Sequence, residues 1–157
     1  RRTGARGVLL TRFPEQVPAD LPPGVRHAGF VPFRRLAPKC AAIVHHGGIG
    51  TLAQGFAAGV PQVVMPMGFD QFDNAARLER LGVGRSLPRR SFRGPRLARV
   101  LADLLGDGAV AGRCREVAGR FAGVDAIARA ADEVEACVAR GDTPPVASAV
   151  TSAITSL

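Results

Sequence analysis

A chain of 157 residues has the length of one domain and can bury a single hydrophobic core. Lys and Arg outnumber Asp and Glu by 21 to 13, giving a formal net charge of +8, and there is no Trp or Tyr. No membrane-length apolar run and no signal peptide is present, which leaves the cytoplasm as the default location.

The charge does not make a nucleic-acid binder. The arginines are scattered from Arg1 to Arg140, with a loose cluster at Arg85, Arg89, Arg90, Arg93, Arg96 and Arg99 in which Phe92 is the one aromatic. Single-strand binding needs aromatic platforms among the cations, so a solvated basic face is the better reading and nucleic-acid binding the lesser alternative. Cys40, Cys114 and Cys137 lie far apart without CxxC or zinc spacing. Cys40 with His45 and His46 lacks a fourth partner, so free cysteines and no metal are expected.

In chain order, residues 25–31 read as a strand, and His27 within it as a satisfied structural histidine. Residues 34–39 read as a short turn or helix. Ala41-Ala42-Ile43-Val44 is a short apolar run that breaks into His45-His46-Gly47-Gly48-Ile49-Gly50 and then into a helical pattern over 51–58. Strand, glycine turn and helix in this order place unpaired N–H groups and a positive dipole at the turn, where an anion is favoured. Thr51 can cap that helix or face a phosphate. No Lys-Ser/Thr pair closes the turn, and Gly48-Ile49-Gly50 lacks a third glycine at dinucleotide spacing, so the commoner nucleotide loops are disfavoured. Neighbouring side chains on an extended backbone point to opposite faces, so one of His45 and His46 should face a ligand and the other pack.

Residues 61–66 read as a buried strand leading to a helix over 70–81. Asp70 and Gln71 stand at its start, where they can cap it or bind sugar hydroxyls at the carboxyl edge of a parallel sheet. Helical patterns follow at 95–105, 109–122 and 124–140, with Leu97, Val100, Leu101 and Leu104 on one face. The Pro-, Ser-, Thr- and Ala-rich residues 141–157 are expected to form a mobile tail after a domain over 1–140.

Together, Phe30-Val31-Pro32, His46 through Thr51, Gln54, Gly59-Val60-Pro61, and Asp70-Gln71 with Asn74-Ala75 resemble the donor signature of GT-B glycosyltransferases that use nucleotide diphosphate sugars, in particular the macrolide-, rhamnosyl- and sterol-transferase-like branch. The likeness runs from about Phe30 to Gly84. It implies an α/β fold, a Rossmann-like parallel sheet with flanking helices, corresponding to the C-terminal half of GT-B. It also implies that Phe30 stacks on the nucleobase and Val31 meets it through the backbone. His46 and the amides of Gly48, Gly50 and Thr51 would hold the diphosphate, and Asp70 and Gln71 the sugar. Gln54 stands where many relatives carry a Glu on the ribose; it can hydrogen-bond there without the charge. Phe30 replaces a Trp common in other members, with less stacking area; its alternative role is a core aromatic.

Gly7-Val8-Leu9-Leu10-Thr11 resembles the second strand of such a domain, so the first, central strand is expected to be missing and to leave a gap in mid-sheet. The functional expectation is a UDP- or TDP-sugar-dependent transferase domain, metal-independent and inverting, with no cofactor. Its catalytic base and acceptor site would lie on a separate N-terminal domain or partner chain. The alternative is a non-catalytic remnant or a subunit of a split enzyme.

Overall fold

The computed structural model describes residues 4–141, which fall into two compact units divided between Ala122 and Gly123. The expected tail lies outside the described residues apart from Gly141.

The first unit is α/β with only parallel strand pairs. Strand β1 (Gly7–Leu10) pairs with β2 (Val25–Ala28), and β3 (Ile43–His45), β4 (Gln62–Val64) and β5 (Gly84–Ser86) form a second sheet in that order. Among the described residues no ladder joins the two sheets. The described strands thus form two separate parallel sheets.

The core is built on the three-stranded sheet. Val63 and Val64 of β4 are completely buried, and they meet Leu52, Ala75, Leu78, Val83, Leu87, Leu104, Val110, Cys114 and Val117 in one cluster. These come from helices α2 (Ile49–Ala57), α3 (Gln71–Arg80), α4 (Gly94–Gly106) and α5 (Gly108–Gly119) and the loops beside β5. The periodic face read from the sequence is the one used: Leu104 is buried, and Leu97, Val100 and Leu101 pack against the cluster. Asp107 starts α5 by accepting from the amides of Ala109 (2.9 Å) and Val110 (3.3 Å), satisfying two of the free N–H groups of the first turn. A smaller cluster joins Ala37, Ile43 and Val60, with Phe33 of the short helix α1 (Phe33–Leu36) packed against it.

Several boundaries differ from the sequence reading, two of them at the site, and one strand has no counterpart in it. β2 stops at Ala28, because its partner β1 ends at Leu10 and the last bond between them runs from Thr11 N–H to the Ala28 carbonyl at 3.3 Å. Phe30 and Val31 therefore sit on the loop that follows, not in the strand. α2 starts at Ile49 rather than Thr51, since Gly48 takes an extended conformation at the N-cap and its carbonyl accepts from Leu52 N–H at 3.0 Å. β5 carries no strand-like pattern and forms by backbone pairing to β4. In the second unit, α6 (Ala126–Ala139) is capped by Asp125, which accepts from Ile127 and Ala128 amides at 3.1 and 3.0 Å.

Candidate functional site: the glycine turn and the Asp70-Gln71 pair

β3 and β4 lie side by side in parallel, with His45 opposite Val64, so the segments leaving them emerge at one carboxyl edge. The glycine turn leaves β3, and the loop to Asp70-Gln71 leaves β4. Ligands of open parallel sheets collect at such an edge.

The turn needs its glycines for specific reasons. Gly47 has φ +98°, in the region that favours glycine, and a Cβ there would meet Val64 Cγ1 at 2.7 Å and the Gln71 carbonyl at 3.3 Å. A Cβ on Gly48 would meet the His46 ring at 2.7 Å, so that ring leans over the turn. The first bond of α2 is Leu52 N–H to Gly48 C=O, and no side chain caps its start. The amides of Ile49, Gly50 and Thr51 are thus the orphan donors of the first turn. Thr51 is the third helical residue and not the cap; its hydroxyl is released from that alternative. Gly50 has open space where a Cβ would stand, and the exposed Gln54 lies one turn further along α2.

The two histidines divide as the alternation requires. His46 is exposed. His45 is half-buried, and both its ring nitrogens are engaged: Gly47 N–H donates to Nδ1 (3.1 Å), so Nε2 carries the proton and donates to Gln62 Oε1 (2.9 Å). Gln62 is completely buried and donates to the Leu52 carbonyl (3.3 Å). Burial pushes the His45 pKa below its ordinary value, the Gln62 bond opposes that shift, and the neighbouring His46 adds to it. His45 is the neutral support under the turn. Its partner was visible in the sequence as the one polar residue of a buried apolar strand.

Asp70 does not cap α3 through its side chain. Its Oδ2 accepts from Asn74 Nδ2 at 2.8 Å, and the same nitrogen donates to the Gly47 carbonyl at 2.9 Å. Gln71 Oε1 accepts from Met67 N–H (2.9 Å) and Gly68 N–H (3.3 Å), which leaves its NH2 group for other partners. This fastened loop carries Phe69, at φ +56° the one non-glycine at positive φ among the described residues, with its side chain almost fully exposed.

His46, Gly48, Gly50, Thr51, Asp70 and Gln71 thus share one edge of one sheet. Phe30 is 78% exposed, which excludes the core-aromatic alternative, but with Val31 it follows the other sheet. His27 donates from Nε2 to the Thr11 carbonyl at 2.9 Å, a structural role as expected.

The chain is similar to known proteins in sequence and in fold. Residues 9–138 match the family model described as erythromycin biosynthesis protein CIII-like, C-terminal domain. The chain is 47% identical over 70 residues to 3-alpha-mycarosylerythronolide B desosaminyl transferase of Saccharopolyspora erythraea, covering 45% of this chain and 17% of that protein. It is 44% identical over 88 residues to L-demethylnoviosyl transferase of Streptomyces niveus, covering 56% and 23%. Among solved structures, the glycosyltransferase VinC in complex with dTDP superposes with a TM-score of 0.70 at 29% identity, over 78% of this chain and 31% of that one. A calicheamicin glycosyltransferase gives 0.69 at 32% identity, over 80% and 32%. The chain spans about a fifth of these curated relatives and about a third of the solved structures. It belongs to the erythromycin biosynthesis protein CIII-like C-terminal domain family, with the parallel α/β architecture of GT-B glycosyltransferase C-terminal domains.

Proposed function

We propose that this chain is the donor-binding part of a glycosyltransferase that moves a sugar from a nucleotide diphosphate sugar to a hydroxyl acceptor, with inversion and without a divalent metal. The observation that carries the reading is the shared carboxyl edge: an uncapped helix start and an acid-amide pair open side by side. His46 and the amides of Gly48, Gly50 and Thr51 hold the diphosphate, Asp70 and Gln71 the sugar, Gln54 the ribose, and Phe30 and Val31 the base. As the glycosidic bond breaks, charge grows on the leaving diphosphate, and prearranged donors with the α2 dipole stabilise it. The base that deprotonates the acceptor belongs to an N-terminal domain or partner chain. A small lipophilic or natural-product acceptor is supported by the similar desosaminyl transferase, whose name gives an erythronolide acceptor. Among the described residues no helix is long and apolar enough to cross a membrane. Action in the cytoplasm is part of the reading, supported by three free cysteines.

The test is thermal unfolding with and without millimolar dTDP, UDP, GDP and UDP-glucose in the presence of EDTA. A ligand that binds only the folded state raises the midpoint. A rise with one base and not the others is the expected outcome. A cooperative transition that no ligand moves favours the second reading, a non-catalytic remnant or a subunit needing its partner, for which the divided sheet is the supporting observation.

A further inference from the structure

We propose that Asn74 is a positioning residue that ties the diphosphate cradle to the sugar pair, so that the two are set by one carboxamide. The inference rests on the donor-site reading and assigns a role to a buried residue.

Asn74, the fourth residue of α3, is only 4% exposed, and its NH2 group has two hydrogens. Both are used. One goes to the Gly47 carbonyl and the other to Asp70 Oδ2. The first bond fixes a peptide plane. In a trans peptide the C=O and the following N–H point in opposite directions, so holding the Gly47 carbonyl inward on Asn74 turns the Gly48 N–H outward, to the side where a phosphate would lie. The second bond fixes a rotamer. With Oδ2 taken, Asp70 presents Oδ1 to a sugar hydroxyl. The close seat of Gly47 on Val64 and the Gln71 carbonyl leaves the turn little room to find another arrangement.

Only a short primary amide satisfies this geometry. Aspartate at 74 would place a carboxylate against both the Gly47 carbonyl and the Asp70 carboxylate, and alanine or leucine would leave two acceptors without a donor. A residue serving the stability of α3 alone would need just the bond to Asp70, four residues earlier. The bond to Gly47, 27 residues away, is what makes it a coupling element.

The experiment measures the dissociation constants of dTDP and dTDP-glucose by calorimetry for the full chain, Asn74→Ala, Asp70→Ala and the double variant. Asn74→Ala is expected to weaken dTDP about tenfold, the worth of one misaligned charge-assisted bond, and dTDP-glucose by a further factor of about ten. In the Asp70→Ala background the same change should still weaken dTDP but no longer lower the preference for the sugar-bearing ligand. An unchanged ratio between the two ligands in Asn74→Ala, or equal loss of sugar preference with and without Asp70, overturns the proposal. If Asn74→Ala does not fold, Asn74→Ser, which keeps one donor hydrogen, replaces it. It should lose either the dTDP or the sugar effect but not both, and retention of both overturns the coupling. Binding of neither ligand by the unsubstituted chain overturns the donor-site reading itself, and the inference with it.

Discussion

The two parallel sheets of this chain differ in almost everything except hydrogen-bond pattern. In the β3-β4-β5 sheet the central strand is buried on both faces, helices cover it, and the polar residues beneath the turn are fully partnered. In the β1-β2 sheet no residue is buried, and Val8 and Leu10 are 51% and 36% exposed. Parallel pairs gain stability by being covered. The candidate phosphate and sugar residues stand on the covered sheet, and the candidate base residues Phe30 and Val31 follow the uncovered one. On the donor-site reading proposed above, the groups at the leaving diphosphate would stand where the packing is dense and those at the base where it is loose.

The sharpest way to test this contrast is to add the same carbon to both sheets. A Cβ on Gly84 would fall on the Gln62 carbonyl oxygen and on Leu78, whereas one on Gly7 would find Val25 at an ordinary 3.6 Å. Gly84→Ala is expected to cost more than about 3 kcal/mol, enough to abolish the cooperative transition, while Gly7→Ala changes stability by less than about 1 kcal/mol. Denaturant titrations giving similar midpoints for both would erase the distinction. Next in size, Leu78→Ala should cost about 2–5 kcal/mol against less than about 1 kcal/mol for Leu10→Ala.

A third effect concerns the support under the turn. Gln62→Leu removes partners from His45 Nε2 and the Leu52 carbonyl and should cost about 1–3 kcal/mol. His45 itself gives stability a pH dependence. Its folded pKa lies below the ordinary value of about 6.5, so between the two the unfolded chain binds a proton that the folded chain does not. Stability is therefore full above that ordinary value and declines as pH falls through it toward the folded pKa. Denaturation midpoints at several pH values should show the decline in the parent chain and a smaller one in His45→Gln; equal declines would remove His45 as the source. The smallest expected change in stability is for Phe30→Ala, within about 0.5 kcal/mol, because its ring is exposed. The same substitution should weaken dTDP binding several-fold in calorimetry, and unaltered binding would take the base-stacking role from the uncovered sheet.

Much of this organisation was legible in the residues. The strand, glycine turn and helix around Gly47, and the helices carrying Leu97 to Leu104 and Val110 to Val117, follow from local periodicity and from glycine chemistry. Local rules failed where the cause is distant in sequence. Gly84-Arg85-Ser86 has no strand pattern of its own and is drawn into the sheet by β4. The reach of Asn74 to Gly47 and of His45 to Gln62 joins residues 27 and 17 apart, which only the pairing of β3 with β4 makes neighbours. At Asp70, read either as a cap or as a sugar ligand, the side chain makes no cap bond and is held instead by Asn74 one turn away, a contact the pattern did not explain.

The division of the sheet also bears on how the chain behaves in company. Among the described residues two parallel sheets have four lateral edges where a single five-stranded sheet would have two, and an edge strand's unpaired amides and carbonyls can template pairing with another extended segment. Beside β1 these rows are flanked by exposed valine and leucine. Strand-to-strand association is therefore expected to start at β1, and light scattering over a concentration series should show less of it when Val8 and Leu10 are replaced by lysine.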